Sequence, residues 1–265
     1  MSFSEMVALT PRLPRRGRGI WYGLAIELIW PLLVLFVRMR MTGREKVPKS
    51  GAVLLASNHL SNVDPILLTA YALASGRIPR YLARANLFTA PVIGAVMRSG
   101  RHIPVDRGSA RAGLALDAAR TALADGECVG VYPEGTFTSD PDHWPMRGKS
   151  GVARVALATR TPVVPVAQWG PERLLPEGSA RPRPWTKVQI TCGDPVDLSD
   201  LYGKPMTKQV LDEATARIMA AITGLLEGLR GEPAPARELV DRADARRVAD
   251  VAPEQEPEAE RRIAE

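Results

Sequence analysis

The sequence is poor in cysteine, histidine and aromatic residues, and each shortage excludes a class of protein. Two cysteines in 265 residues cannot form a disulfide scaffold or a four-cysteine zinc site. Three histidines leave little material for a histidine-rich centre, so we predict no metal site. Aromatic residues make up 5% of the chain, too few for a platform that stacks single-stranded nucleic acid. The remaining composition, 45% hydrophobic and 24% charged, is typical of a folded globular chain.

Positive charge is unevenly distributed along the chain. The formal net charge is +6, and the first fifty residues hold nine basic but only three acidic side chains. Such a balance favours a polyanionic partner, either an anionic membrane surface or a phosphorylated substrate. No motif that reads bases accompanies the charge, so we predict no nucleic-acid partner.

The C-terminal tail, residues 232–265, has the opposite charge. It contains six arginines, ten acidic residues and four prolines, with few large apolar side chains. Such a segment cannot bury enough surface to offset the entropy lost on ordering. We therefore predict an acidic, disordered tail, with room for a short helix over Glu238–Val251.

The N-terminal segment, residues 1–42, contains an apolar stretch from Ile20 to Val37 between basic flanks. Eighteen helical residues reach about 27 Å, short of a ~30 Å hydrocarbon core. Glu27 would cost about 2.5–3.5 kcal/mol at the bilayer centre, and Pro31 favours a break. We therefore predict two short helices that lie in one leaflet rather than a simple span. Three aromatic residues are expected near the headgroups: Trp21, Tyr22 and Trp30.

Two other interpretations of the apolar stretch are a cleaved signal peptide and a buried core helix. The signal peptide is disfavoured because Glu27 interrupts the apolar region and no small-x-small site follows Val37. Basic flanks on both sides and the lack of an export signal predict a location at the cytoplasmic face of the cell membrane, in peripheral or monotopic form.

Residues 43–231 alternate apolar runs of strand length with apolar patterns of helical spacing. The strands are predicted at 52–57, 80–84, 128–132, 163–167 and 187–192. The helices are predicted at 65–75, 91–99, 110–124, 151–159 and 207–229. This order predicts an α/β domain with a largely parallel central sheet flanked by helices, whose motif-bearing core spans 52–170.

The stretch Asn58–Asp64, NHLSNVD, follows a predicted strand and leads into a helix. Histidine is the side chain best suited to take a proton near neutral pH, and a carboxylate on one ring nitrogen fixes its tautomer. On a continuous helix, His59 and Asp64 would point about 140° apart. They can meet only if His59 precedes the helix and Asp64 caps it. The alternative for Asp64 is a plain N-cap without a catalytic role.

Four blocks in order resemble the 1-acyl-glycerol-3-phosphate (lysophosphatidate) acyltransferases, whose first mark is NHx4D. The blocks are NHLSNVD at 58–64, GRHIPVDR at 100–107, VYPEGTFTS at 131–139 and VVPV at 163–166. The resemblance covers about Gly43 to Gly170 and implies a glycerol-phosphate acyltransferase-like fold.

The resemblance also implies direct acyl transfer in phospholipid biosynthesis. His59, held by Asp64, would deprotonate the free hydroxyl of lysophosphatidate, and that hydroxyl would attack an acyl thioester to give phosphatidate. The thioester is acyl-CoA or acyl-carrier protein, and no other cofactor is implied.

The resemblance marks the arginine that ends the second block, Arg107, as a substrate-binding residue, and its guanidinium fork suits an acceptor phosphate. The third block brings Glu134, Gly135 and Thr136 to the end of a strand. There the Glu134 side chain and backbone amides are expected to hold a glycerol hydroxyl. The alternatives are a solvated arginine and a turn without a ligand.

Phe137 departs from the family pattern, which usually has a basic residue after EGT. Arg147 and Lys149, just before a predicted helix, are candidates to replace that phosphate contact. Otherwise the acceptor is another lysophospholipid or glycerolipid, for instance one with a substituted phosphate. An alternative of another class is a catalytically weak, lipid-binding membrane protein on the same fold.

Overall fold

A seven-stranded sheet forms the centre of the computed structural model, which describes residues 3–15, 17–106 and 112–236. The strands are β1 (Val37–Thr42), β2 (Val53–Ser57), β3 (Pro79–Arg84), β4 (Ile103–Val105), β5 (Cys128–Val131), β6 (Val163–Trp169) and β7 (Thr186–Cys192). Their spatial order is β1-β7-β6-β2-β5-β3-β4, and all neighbours are parallel except β6 and β7. The predicted α/β class with a largely parallel sheet is confirmed.

Helices cover both faces of the sheet. They are α1 (Phe3–Leu9), α2 (Ile20–Phe36), α3 (Asp64–Ala74), α4 (Pro91–Ser99), α5 (Ala112–Ala124), α6 (Gly151–Thr159), α7 (Pro171–Leu174) and α8 (Lys208–Arg230). Core side chains of α2 and α3 pack on one face, and those of α5, α6 and α8 pack on the other. The five helices and five strands predicted within residues 43–231 agree with these bounds to within two residues at each end.

Strand β2 lies at the centre of the sheet, and all five of its residues are buried. Side chains alternate across a strand, so Val53 and Leu55 pack toward α2 and α3, while Leu54 and Ala56 pack toward α5, α6 and α8. This two-sided burial explains the continuous apolar run in the sequence. The strands β2 to β6 all end at one edge of the sheet, which we call the carboxyl edge; β1 and β7 begin there.

Strand β1 was not predicted. Val37 is predicted to end the apolar stretch and the following RMRM to be its basic flank, but Val37, Met39 and Met41 are buried while Arg38 and Arg40 are exposed. This alternation has the period of a strand, and pairing with β7 decides its structure. The three-residue strand β4 was also missed, because it is too short to show a period.

The prediction of two helices around Pro31 is wrong. Helix α2 is continuous over 17 residues, with Pro31 on its exposed side and Leu33 and Val34 in the core beyond it. Tyr22 and Trp30, which are expected near the headgroups, are buried against the protein and do not face the surroundings. Their polar atoms find protein partners, for example Trp30 Nε1, which donates to Thr10 Oγ1 at 3.0 Å.

Within the described ranges, no helix is both long and apolar enough to cross a membrane. Most of the predicted acidic tail, including the short helix proposed over Glu238–Val251, falls in residues 237–265 and lies outside the described residues.

The start of α2 is anchored on a buried histidine. His102 Nδ1 accepts a hydrogen bond from the Tyr81 amide at 3.0 Å, and its ring meets the edge of Tyr22 at 4.8 Å. Burial, together with the nearby charge of Arg80, lowers the pKa of His102 from 6.5 to about 4. Neutral His102 is therefore part of the folded state.

This burial makes the folded state sensitive to acid. The unfolded chain protonates His102 first, so the free energy of unfolding should fall as pH drops from about 6.5 to about 4, by about 3 kcal/mol from this residue. His102→Asn keeps an acceptor for the Tyr81 amide but does not titrate. Urea unfolding at several pH values should show that the free energy of unfolding falls less on acidification in His102→Asn than in the native protein. An equal fall in the two proteins would contradict the assignment.

Candidate active site

The carboxyl edge of β2 brings His59 and Asp64 into direct contact. β2 ends at Ser57, and α3 begins at Asp64. Because the chain turns between them, His59 Nδ1 lies 2.7 Å from Asp64 Oδ2. The same oxygen accepts hydrogen bonds from the amides of Ser61, at 2.9 Å, and Leu60. Asp64 is fully buried, whereas the His59 side chain is 14% exposed.

Asp64 is the first residue of α3 rather than its N-cap, which is Val63. The predicted capping role is therefore wrong: the carboxylate points back to the preceding loop, where it binds two amides and the imidazole. With Nδ1–H donating to Asp64, Nε2 carries the ring's lone pair. The pair therefore has the arrangement of an oriented general base.

Two aromatic rings of the third block, Tyr132 and Phe137, pack against the imidazole of His59. Tyr132 stacks on His59 with centroids 4.0 Å apart, and Phe137 meets the ring at 4.3 Å with an interplanar angle of 64°. The sequence identified Phe137 only as a missing basic residue. The structure shows that it contacts the histidine itself and presents an apolar surface beside it.

Glu134 is buried and bonded to the protein backbone. Its Oε1 accepts from the His59 amide at 3.1 Å, and its Oε2 accepts from the Met146 amide at 2.8 Å. Burial raises the pKa of this carboxyl to about 8. We expected the Glu134 carboxylate to hold a substrate hydroxyl; instead, both oxygens fasten the His59 loop to the segment before α6.

Glu134→Gln tests this fastening. The amide NH2 must face one of the two backbone donors, so we expect a loss of about 1–3 kcal/mol in the free energy of unfolding. The turnover number should fall as the His59 loop loosens, with smaller changes in KM. Urea unfolding and steady-state kinetics measure both effects. The matched control is Glu177→Gln, at an exposed position; a Glu134→Gln protein as stable as this control would contradict the role.

Gly135, Thr136 and Lys149 line one wall of the cavity beside His59. Gly135 has φ of +70°, and a Cβ placed there would lie 3.1 Å from Lys149 Nζ. The Lys149 amide donates to the Pro133 carbonyl at 2.8 Å, which holds the two segments together. The exposed ammonium of Lys149 therefore lies over the Gly135 turn, two residues before α6 begins.

Arg107 lies outside the described residues, so the structure gives no position for it. The structure adds a different arginine, Arg84, to the candidate site, and the sequence motifs did not indicate it. Arg84 is the last residue of β3, its side chain is exposed, and it lines the same cavity as His59. The available signal was a basic residue that ends a predicted strand, at the edge where the first and third blocks also lie.

The cavity has a volume of about 990 Å³ and mostly apolar walls. From His59 it extends toward α2 and α3, between Ile26, Trp30 and Leu73, and toward α5 and α6, between Ala119 and Val152. The polar groups near its mouth include His59, Arg84 and Lys149. An oriented base, two cations and a long apolar space are suited to a substrate that joins an anionic group to a hydrocarbon chain.

Known proteins resemble this chain in sequence and in fold. The acyltransferase family model matches residues 38–169. A 1-acyl-sn-glycerol-3-phosphate acyltransferase of Borreliella burgdorferi is 30% identical over 131 residues, 49% of this chain and 50% of that protein. The chain thus spans about half the length of that relative.

Two further proteins are covered more fully. A 1-acyl-sn-glycerol-3-phosphate acyltransferase of Bacillus subtilis is 26% identical over 178 residues, 65% of this chain and 80% of that protein. The crystal structure of the 1-acyl-sn-glycerophosphate acyltransferase PlsC from Thermotoga maritima matches with a TM-score of 0.57 and 25% identity, covering 76% of each chain.

Proposed function

Because this chain belongs to the acyltransferase family that includes the 1-acyl-sn-glycerol-3-phosphate acyltransferases, we propose that it acylates the free hydroxyl of lysophosphatidate to give phosphatidate. The observation that carries the proposal is the 2.7 Å contact of His59 Nδ1 with buried Asp64, at the mouth of an apolar cavity. The acyl donor is a thioester of CoA or acyl-carrier protein.

The proposed reaction is a direct transfer. His59 Nε2 removes the proton of the acceptor hydroxyl as its oxygen attacks the thioester carbonyl, and Asp64 stabilises the resulting imidazolium. When the tetrahedral intermediate collapses, the C–S bond breaks and the thiolate leaves. The imidazolium returns its proton to that thiolate, which restores the neutral base.

The acceptor phosphate is assigned to the cations at the carboxyl edge. Lys149 and Arg84 both line the cavity, and Arg107, which lies outside the described residues, follows the end of β4 by two positions in the sequence. The exposed Lys149 and Arg84 side chains would attract a phosphate monoester, and a guanidinium group binds it through two parallel hydrogen bonds. The Gly135 amide donates to the Tyr132 carbonyl at 2.9 Å, so the Thr136 amide is the backbone donor that would face the glycerol.

One observation favours a second acceptor class. Phe137 contacts His59 where the family usually supplies a basic residue, so this side of the site offers an apolar surface. A lysophospholipid with a substituted phosphate carries less negative charge and fits such a surface better. It is the alternative acceptor for the same chemistry.

An acceptor panel tests the proposal. Acyl-CoA or acyl-carrier protein is incubated with lysophosphatidate, lysophosphatidylethanolamine, lysophosphatidylglycerol or lysophosphatidylcholine in nonionic micelles, and the diacyl products are quantified. We expect the highest kcat/KM for lysophosphatidate. A preference for a substituted phosphate would select the second class, and lipid binding without any diacyl product would identify a lipid-binding protein instead.

The membrane association is also part of the proposal. One side of α2, here called the α2 apolar face, exposes Ile20, Trp21, Leu24, Leu28, Leu32 and Leu35. Val92 and Ile93 of the neighbouring α4 are exposed as well. A contiguous apolar face next to an excess of basic residues suits a helix lying in the plane of an anionic leaflet. We propose that the enzyme works there, at the cytoplasmic face of the cell membrane.

Replacing Leu24, Leu28 and Leu32 together by serine should release the protein from lipid. Each side chain is about half exposed or more, so the fold should remain stable, whereas deleting residues 1–40 would also remove core residues such as Trp30. We expect at least a tenfold loss of binding to vesicles containing phosphatidylglycerol, measured by co-sedimentation. Leu114→Ser on α5, 66% exposed, is the control; equal losses in the two proteins would contradict the assignment.

A further inference from the structure

The loop between β6 and β7 ends in an exposed tryptophan with an unusual backbone. Trp185 has φ of +57°, a left-handed conformation that bulky side chains rarely adopt, and the residue is 59% exposed. Its amide donates to the Phe36 carbonyl at the end of α2, and the two rings are 6.3 Å apart. Such conformations persist where surrounding structure holds them, often at ligand-binding positions.

Basic side chains surround this tryptophan. Arg181 and Arg183 are exposed in the same loop, and Arg38 and Lys187 are exposed register partners at the starts of β1 and β7. Among the described residues, none of these four side chains has an ion-pair or hydrogen-bond partner. We call this group the Trp185 collar; it comprises Phe36, Arg38, Arg181, Arg183, Trp185 and Lys187.

We propose that the Trp185 collar is a second membrane contact, in which the cations bind lipid phosphates of an anionic bilayer and the indole lies at headgroup level. The inference rests on the proposed membrane association and adds a site to it. An amphipathic indole prefers the membrane interface, and guanidinium groups suit phosphate. The loop has two acidic residues, Glu172, which pairs with Arg173, and Glu177, so the four cations of the collar outnumber the acidic side chains beside them. This excess selects an anionic surface over a zwitterionic one.

The collar is continuous with the α2 apolar face and tied to the active site. Phe36 ends α2 at the carboxyl edge, where His59 also lies. Ser61, two residues after His59, donates its hydroxyl to the Leu175 carbonyl at 2.6 Å, which fastens the collar loop to the His59 loop. Contacts along α2 and at the collar would together fix how the cavity mouth faces the bilayer.

Two variants separate the charge from the ring. Arg181→Gln/Arg183→Gln removes two cations, each worth about a fivefold change in affinity near an anionic surface, so binding should fall roughly 25-fold. Trp185→Gly removes the indole and suits the positive φ, so binding should fall while the melting temperature stays equal or rises. A tryptophan with a purely structural role would lower the melting temperature when removed.

Binding is measured with full-length protein and vesicles of phosphatidylcholine alone or with 30% phosphatidylglycerol. The double variant Lys49→Gln/Lys204→Gln removes two exposed charges outside the Trp185 collar and should bind as the native protein does. Native-like binding of both collar variants, or an equal loss on pure phosphatidylcholine, would overturn the proposal. So would a native protein that binds neither vesicle. Acyl transfer in nonionic micelles is assayed in parallel, because failure there concerns the proposed chemistry and not the collar.

Discussion

His59→Ala is expected to lower kcat by about 10²–10⁴-fold while the protein stays folded and bound to lipid. The imidazole carries the only proposed proton transfer from the acceptor hydroxyl, and its Nδ1 already donates to Asp64 at 2.7 Å. Without it, the hydroxyl must attack the thioester while still protonated. KM values should change less than kcat, because the cations and the apolar walls that bind the substrates remain.

Steady-state kinetics in micelles measures this effect, and added imidazole provides a second readout. Alanine leaves a space between Tyr132 and Phe137 that free imidazole can fill, so partial rescue is expected. His143→Asn is the control, since His143 has φ of +62° and asparagine tolerates that conformation. Turnover of His59→Ala within tenfold of native would remove the general-base mechanism.

Asp64→Asn is expected to lower kcat by a comparable factor, about 10²–10⁴-fold, through loss of charge rather than shape. The amide oxygen can take the place of Oδ2 and keep its three donors. The amide nitrogen takes the place of Oδ1, which has no hydrogen-bond partner within the described part of the chain. The geometry around His59 is then retained. What disappears is the negative charge that stabilises the imidazolium during the reaction.

Comparison with Asp64→Ala separates charge from structure. Alanine leaves the buried amides of Leu60 and Ser61 without an acceptor, which costs about 1–3 kcal/mol for each lost partner. Asparagine should stay within about 1 kcal/mol of the native free energy of unfolding. An Asp64→Asn enzyme with native kcat would show that the carboxylate only shapes the loop.

The active site joins two loops that are distant in sequence. Glu134 binds the His59 amide, and the Thr138 amide donates to the His59 carbonyl at 2.8 Å. The loop that supplies the base is thus bonded on both sides of the base to the loop that supplies Tyr132, Phe137 and Lys149. This dependence explains why a change at Glu134, which does not line the cavity, is expected to alter turnover.

Local sequence predicted those features that depend on neighbours in the chain. Burial on both faces of a parallel sheet requires continuous apolar runs, so the sequence predicts β2 and β5, and helical spacing predicts α5 and α8. Pro65 in the first helical turn indicates the start of α3. The His59–Asp64 contact was also accessible, because five residues at a strand-to-helix junction constrain the two side chains almost by themselves.

Tertiary structure decided the features that depend on which surfaces meet. Pairing with β7 makes a strand of the basic segment 37–42, and core packing on α2 buries Tyr22 and Trp30 while leaving Trp21 outside. Contacts across the carboxyl edge turn Glu134 inward, bring Phe137 to His59 and add Arg84 to the cavity. The periodicity of apolar residues indicates which side of a helix or strand is buried. Which other element packs against that side depends on contacts between residues distant in sequence, so only the tertiary structure shows it.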